Sequence, residues 1–204
     1  MTNHRLLVLA SGSFGKSVAR RLDRTYRVVL QEIDDGTHPS LWPASDAIVL
    51  ATSHERPRIA EALDRSCFAW RRPWFAVHSS ATEVQCGPVV IPGRTACHQC
   101  FARRRSQHRR PEHPTAATGD RYPSGYPEHH VGIAAGFARQ AVHEVFGEPE
   151  GAGIGGTVRR FDQVSGATSR ATVVAVDRCP RCRTRSTSDG LWRELATIGE
   201  GRLR

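Results

Sequence analysis

Four of the six cysteines fall into two Cys-x-x-Cys pairs, Cys97/Cys100 and Cys179/Cys182, with 78 residues between the pairs. Each pair is a tight turn whose two sulfurs converge on one point. Together they supply the four soft thiolates that a tetrahedral divalent zinc takes. Pairs this distant in sequence meet only if the fold brings them together, so the spacing predicts a structural ion that cross-links two parts of the chain. Pro180, inside the second pair, suits such a knuckle. Two other readings of the same residues stand beside this one. They are unrelated buried cysteines, and a thioredoxin-like redox pair, which needs a Cys-x-x-Cys that follows a strand and opens a helix. Neither pair is expected to do so here. Cys67 and Cys86 stand alone and are expected to be buried as small apolar groups.

A second constellation lies near the N-terminus, where Ala10, Gly12 and Gly15 spell A-x-G-x-x-G, one glycine short of the dinucleotide fingerprint. In a live site Gly12 would let backbone approach a phosphate and Gly15 would let the following helix pack closely, while Glu32 or Asp34 would hold a ribose. The same turn also serves any strand that must pass sharply into a helix, so the residues are compatible with either use. Arg103–Arg110 is a cationic run without interleaved aromatic residues for base stacking, which suits a solvated or partner-facing segment. His129 and His130 fit solvent-exposed positions at a helix start. Asp120 and Glu128 carry no assigned role. No carboxylate–histidine–nucleophile arrangement is legible, so no catalytic residue is named.

The elements that must position these groups follow from the hydrophobic pattern. Leu6–Ala10 reads as a strand, Ser11–Gly15 as a turn and Lys16–Leu22 as a helix. Further strands are expected at Tyr26–Leu30, Asp46–Thr52 and Trp74–His78, with a helix over Arg58–Leu63 that Pro57 starts. This alternation predicts an α/β fold, a Rossmann-like parallel sheet flanked by helices, occupying residues 1–85. Beyond it, 86–102 carries a short strand into the first cysteine pair, and 103–130 lacks an apolar period and is expected to be a flexible basic loop. A helix follows over 131–147. A hairpin of Gly156–Asp162 and Ser169–Val176 then turns at Ser165-Gly166 and delivers the second pair, so that 86–102 and 156–184 form the zinc-bearing half. A brief helix is expected near Leu191–Ile198. Trp42, Trp70, Trp74 and Trp192 are expected as core or interface anchors.

Composition sets the outer bounds. A length of 204 residues with 39% hydrophobic content suits one ordinary globular domain. The net charge of +9 comes almost entirely from arginine, Lys16 being the sole lysine, and so lopsided a usage makes basicity weak evidence for nucleic acid. The opening apolar run Leu6–Ala10 is too short for a signal or membrane segment, and a cytoplasmic location with reduced thiols is expected.

The run Gly87-Pro-Val-Val-Ile-Pro-Gly-Arg-Thr-Ala-Cys-His-Gln-Cys100, set between a Rossmann-like start and a closing Cys-Pro-Arg-Cys182, resembles the ThiF-like, E1-type superfamily. Within it, the chain is most similar to the branch of cyclodehydratase partner proteins that accompany YcaO enzymes in making thiazoles and oxazoles in ribosomal peptide natural products. The resemblance covers most of residues 5–184. It implies that Cys97, Cys100, Cys179 and Cys182 hold structural zinc. It also implies that a YcaO enzyme performs the ATP-dependent chemistry while the E1-like partner presents the precursor peptide and activates that enzyme. Pairing into a homodimer is a further family expectation.

Two departures qualify what carries over. Adenylating relatives have an arginine-bearing segment after the second strand, a lysine beyond it and an aspartate after the third strand. Here the link from Asp34 to Asp46 is too short for that segment, Lys16 lies in the first helix, and Ser53 stands near where the aspartate would fall. A transferring adenylyl group needs such charges, so adenylation is expected to be lost and Gly12, Gly15 and Asp34 to be at most a vestigial ATP site. The branch also begins with a winged-helix leader-binding domain, whereas this sequence opens on the first strand. Leader recognition is therefore expected in a separate protein, or else at the edge strand or the basic loop. The expectation is a non-catalytic, zinc-bearing cyclodehydratase subunit. An active adenylating enzyme and a zinc-ribbon nucleic-acid binder are the alternatives.

Overall fold

The computed structural model describes residues 4–108, 125–147 and 155–182. At its centre is β1 (Arg5–Ser11), whose six residues from Leu6 to Ser11 are buried, so the strand is covered on both faces. Alternate side chains divide between two cores: Leu6 and Val8 pack on one side of the sheet, Leu7 and Leu9 on the other. Strand β2 (Arg27–Glu32), a half-exposed edge, pairs with β1 in parallel, and on the other side β1 pairs in parallel with β3 (Ala47–Thr52). Strand β4 (Trp74–Ser79) extends the parallel part. From there β5 (Glu83–Cys86), β6 (Gly155–Asp162) and β7 (Thr168–Val174) add on antiparallel, giving the order β2-β1-β3-β4-β5-β6-β7. The expected parallel sheet is thus the first four strands of a mixed, seven-stranded sheet.

Helices cover both faces. On one side α1 (Gly12–Asp23) lays Phe14, Val18, Ala19 and Leu22 on the sheet and packs against α4 (Glu128–Phe146). On the other, α2 (Pro57–Ala69) packs through Ala60, Leu63 and Cys67, and α3 (His98–His108) lies beside α2 and β7. Gly15 has a packing reason: a Cβ there would stand 2.1 Å from the carbonyl oxygen of Ala51, so only glycine lets α1 approach β3 so closely. Cys67 and Cys86 are fully buried, and burial pushes both thiols up, Cys86 to about 12. Among the described residues no helix is long and apolar enough to cross a membrane.

Three expectations change. The basic stretch read as loop from 103 is helical to His108, because α3 needs no apolar stripe. Arginine, alanine and glutamine favour helix intrinsically, and among the described side chains only the first turn is buried, at His98, Cys100 and Phe101. Arg104 donates to the carbonyl of Ala175, and Arg105 pairs with Glu55. Secondly, α2 runs to Ala69 rather than Leu63, its buried face continuing through Asp64 and Cys67, where an acid at a core position hides the period. Thirdly, α4 begins at Glu128, which pairs with Arg21 of α1, and His130 is buried beside Phe161 while His129 stays exposed. The remainder of the loop, 109–124, and the helix expected at Leu191–Ile198 lie outside the described residues.

The end of β4 carries a titratable group that burial keeps neutral. His78 is 5% exposed, and desolvation holds its pKa down at about 4 against the pull of Glu55. Between the ordinary 6.5 and that value the unfolded chain binds a proton that the folded chain refuses. The stability due to neutral His78 is therefore complete above pH 6.5 and is lost as pH falls through the window, a cost of about 3 kcal/mol. Urea unfolding of His78→Gln should show a correspondingly flatter dependence on pH than the parent across this window. Parallel curves for the two proteins would contradict the assignment.

Candidate metal centre

The first cysteine pair is presented by a turn that its own sequence shapes. After the bridge at Val90, which exchanges backbone hydrogen bonds with Trp74 of β4, Thr95 folds back. Its hydroxyl accepts from Ile91 N–H at 2.8 Å and donates to the carbonyl of Val89 at 3.2 Å. Cys97 then stands just before α3 and Cys100 in its first turn, with Cys100 N–H donating to Cys97 C=O. The first pair therefore does open a helix, contrary to expectation. The second pair follows β7, where Cys179 N–H donates to Val176 C=O and Pro180 and Arg181 complete the knuckle.

The two turns meet. Sγ of Cys97 is 3.6 Å from that of Cys100 and 3.7 Å from that of Cys179, and Cys100 lies 3.5 Å from Cys182. All four sulfurs fall within 4.8 Å of one another. A tetrahedron with metal–sulfur bonds near 2.3 Å has edges of about 3.8 Å, so the four thiols are set as one metal ion would need them. They are too far apart for disulfides, whose sulfurs sit about 2 Å apart. Cys97, Cys100 and Cys179 are buried and Cys182 half-buried. An apolar shell of Ala96, Phe101, Val158, Val173 and Ala175 surrounds them. Val176 N–H points at Sγ of Cys100, 3.2 Å away, as backbone donors do toward metal-bound thiolates. The thiols are not alike. The neighbouring Cys182 thiol and burial push Cys97 up, and burial pushes Cys100 up to about 11. Burial also works upward on Cys179, but the N–H groups of Cys182 and Arg181 outweigh it and bring that thiol down to about 7.

A buried ionic network behind the sulfurs had no counterpart in the sequence reading. Asp64 of α2 is fully buried. Its carboxylate accepts from Trp74 Nε1 on β4 at 3.2 Å, from His98 N–H beside Cys97 at 3.2 Å, and from Arg181 between Cys179 and Cys182 at 2.5 Å. Arg181 also donates to Glu61, one turn earlier on α2, at 2.8 Å. Desolvation opposes the Arg181 charge, yet the two carboxylates hold it firmly protonated, and the hydrogen bond from Arg181 holds Glu61 below the usual carboxylate range. The only hint in the sequence was a cation placed inside a Cys-x-x-Cys turn.

The glycine turn lies at the opposite, carboxyl-terminal end of the parallel strands, where β1 and β3 stay paired up to Ser11 and Thr52. Gly12 opens α1 with φ of 71°, and a Cβ there would meet Ser53 Oγ at 2.2 Å. Asp34, just past β2, reaches this turn and accepts from Ser11 Oγ at 2.7 Å and from Gly12 N–H at 3.0 Å. The Ser11 hydrogen bond, helped by Gly12 N–H and Lys16, lowers the Asp34 pKa against desolvation. Lys16 lies 2.7 Å from Glu32 and 3.6 Å from Asp34, and Arg56 donates to Ser11 Oγ at 2.9 Å. The structure therefore brings Gly12 and Asp34 into direct contact, while Gly15 faces the sheet. A carboxylate holds the backbone donor that a phosphate would use.

No known protein family and no curated protein matches the sequence. Solved structures do match. The heterocyclase TruD aligns at 14% identity with a TM-score of 0.55, covering 91% of this chain and 28% of its own. A heterocyclase in complex with substrate and cofactor aligns at 15% identity with a TM-score of 0.58, covering 88% of this chain and 25% of its own. MccB of E. coli with ATP aligns at 12% identity with a TM-score of 0.61, covering 89% and 66%. The chain thus spans little more than a quarter of the heterocyclases. At these identities the likeness establishes the fold, and at that level it bears out the resemblance read from the sequence.

Removing Arg181 should expose how far the knuckle depends on its ionic anchor. Arg181→Met leaves the Asp64 charge buried without its cation and should destabilise the protein by about 3 to 5 kcal/mol in urea unfolding. Adding Asp64→Asn should return much of that loss. Equal stability of Arg181→Met and the parent would show that the pair carries no weight.

Proposed function

We propose that this chain is a non-catalytic, zinc-containing E1-like component of an azoline-forming cyclodehydratase. In this reading it works with a YcaO enzyme and presents a ribosomally made precursor peptide to it, directly or through a separate leader-binding protein. The observation that carries the proposal is the convergence of Cys97, Cys100, Cys179 and Cys182 on one point, within a fold shared with a heterocyclase. The donor set fits zinc: four thiols at tetrahedral spacing, a backbone N–H on one sulfur and an apolar shell. With every corner of the tetrahedron supplied by the chain, the ion would leave no position open for substrate. Its contribution would be a cross-link between the end of β7 and the start of α3.

Absence of chemistry at the glycine turn is supported by the charges there. Asp34 occupies Gly12 N–H, Lys16 is engaged by Glu32 and Asp34, and Ser53, beside Gly12, stands near where the resemblance would put a metal-binding acid. An adenylyl transfer needs uncommitted cations and a carboxylate-held magnesium, and Arg56, bonded to Ser11 Oγ without a carboxylate partner among the described residues, leaves the acid as the missing part. MccB, which has been solved with ATP, shares the fold and makes the competing reading of an adenylating enzyme specific enough to test.

Elemental analysis of protein purified without chelator should return about one zinc per chain, and strong chelation should unfold the protein. In a reconstitution with a YcaO enzyme and precursor peptide from the same gene neighbourhood, azoline formation should rise at least ~10-fold when this chain is added. Pyrophosphate exchange by this chain alone should stay at background. Equal azoline formation with and without the chain, or robust exchange, would overturn the reading.

A further inference from the structure

A cavity of about 170 Å³ opens at the amino-terminal ends of the parallel strands, away from the glycine turn at their opposite ends. Its walls include Pro39, Trp42, Pro43, Ile48, Trp70 and Arg72. Sites for cofactors and drug-sized ligands typically span about 300–1,000 Å³, so this one has room for a single large side chain and none for a nucleotide. It is preformed. Trp42 and Trp70 meet edge to face, their ring centroids 5.9 Å apart at 85°, and Trp42 Nε1 donates to Thr37 Oγ1 at 2.7 Å, which fixes that ring. The floor is anchored by Ile48 N–H donating to Pro73 C=O. Trp70 of its wall is 47% exposed, and Leu41, which precedes Trp42 in the chain, is 68% exposed.

Charge narrows the occupant. Trp70 and Arg72 reach the same wall through Arg71, which adopts φ of 54°, a left-handed conformation disfavoured for any residue but glycine. Among the described residues neither Arg71 nor Arg72 has a carboxylate within 4.0 Å. The nearest acid along the chain, Asp64, is taken up by Arg181, and Asp46, which follows Ser45 of the cavity lining, accepts instead from Arg5 N–H at 2.7 Å. An aromatic cavity with an uncommitted guanidinium on its wall complements an apolar side chain that arrives beside a carboxylate. We infer that this cavity is a docking site for a partner polypeptide, taking one large apolar side chain from an acidic segment. The inference does not depend on the cyclodehydratase reading, since it rests on this cavity alone.

The probe is a short capped peptide with a central leucine between aspartates, titrated into the full-length protein while the indole Nε1–H resonances of Trp42 and Trp70 are followed. Saturable shifts at both indoles, with a dissociation constant on the order of 100 µM, are expected. Replacing the leucine by serine, or the aspartates by lysines, should weaken binding at least ~10-fold, as should Arg72→Glu in the protein. Trp70→Ala, at a half-exposed position that leaves the fold intact, should abolish the shift at Trp42. The absence of a shift at millimolar peptide, or equal binding of the lysine peptide, would overturn the proposal. Indole shifts that follow protein concentration without peptide would also overturn it, assigning the cavity to a second copy of this chain.

Discussion

Two tight turns that lie 78 residues apart must arrive at one point, and much of the architecture answers to that requirement. The sheet does the carrying. Val90 bridges to β4 and sets the start of the path to Cys97, while β5, β6 and β7 add on antiparallel until the chain returns beside the same spot. Asp64 then closes the gap from behind, accepting from β4, from the first turn and from the second. A buried carboxylate is costly unless every lone pair is used and a cation neutralises it, and here donors from three distant segments supply that satisfaction at once. The sulfurs and the carboxylate are therefore two readouts of one geometry, since a slip in β7 would misplace both Arg181 and Cys179.

At the far end of the same strands a glycine turn joins β1 to α1, and most of the charges around it bond one another. The crevice between β1 and β3 is where ligands settle in open α/β sheets, and Gly12 keeps the left-handed conformation such turns use. Yet Asp34 bonds Gly12 N–H and Ser11, while Lys16 answers Glu32 and Asp34. These three groups satisfy one another locally, whereas Arg56 beside them bonds Ser11 Oγ and has no carboxylate partner among the described residues. Gly15 has a packing use independent of any ligand, since it lets α1 lie against Ala51.

What could be seen in the sequence was what burial writes in simple periods. Strands β1, β3 and β4 are covered on both faces, so they read as unbroken apolar runs, and the cysteine pairs announced themselves by spacing. The pairs' meeting was an expectation that the geometry supports. Elements that mix chemistry were harder. Helix α3 is held by its first turn and by arginine contacts to Ala175 and Glu55, so no stripe marks it. Helix α2 places Asp64 where a leucine would have extended the pattern, and the residues that explain the acid, Trp74, His98 and Arg181, are spread over more than 100 positions. Such a network has no local signature, because each partner is ordinary until the others are beside it.

The order of the cysteines along the chain bears on how the protein is made. During synthesis at about 5–20 residues per second, Cys97 and Cys100 precede the second pair by roughly 4 to 16 seconds. In that interval the four parallel strands and α2 already have one another and α4 follows to cover α1, but Asp64 lacks its guanidinium and the first two thiols lack their mates. A half-built thiol pair is open to oxidation and to capture by unintended metals. Cys179 and Cys182 then arrive with Arg181 between them, so a single short turn delivers the missing thiols and the missing guanidinium together.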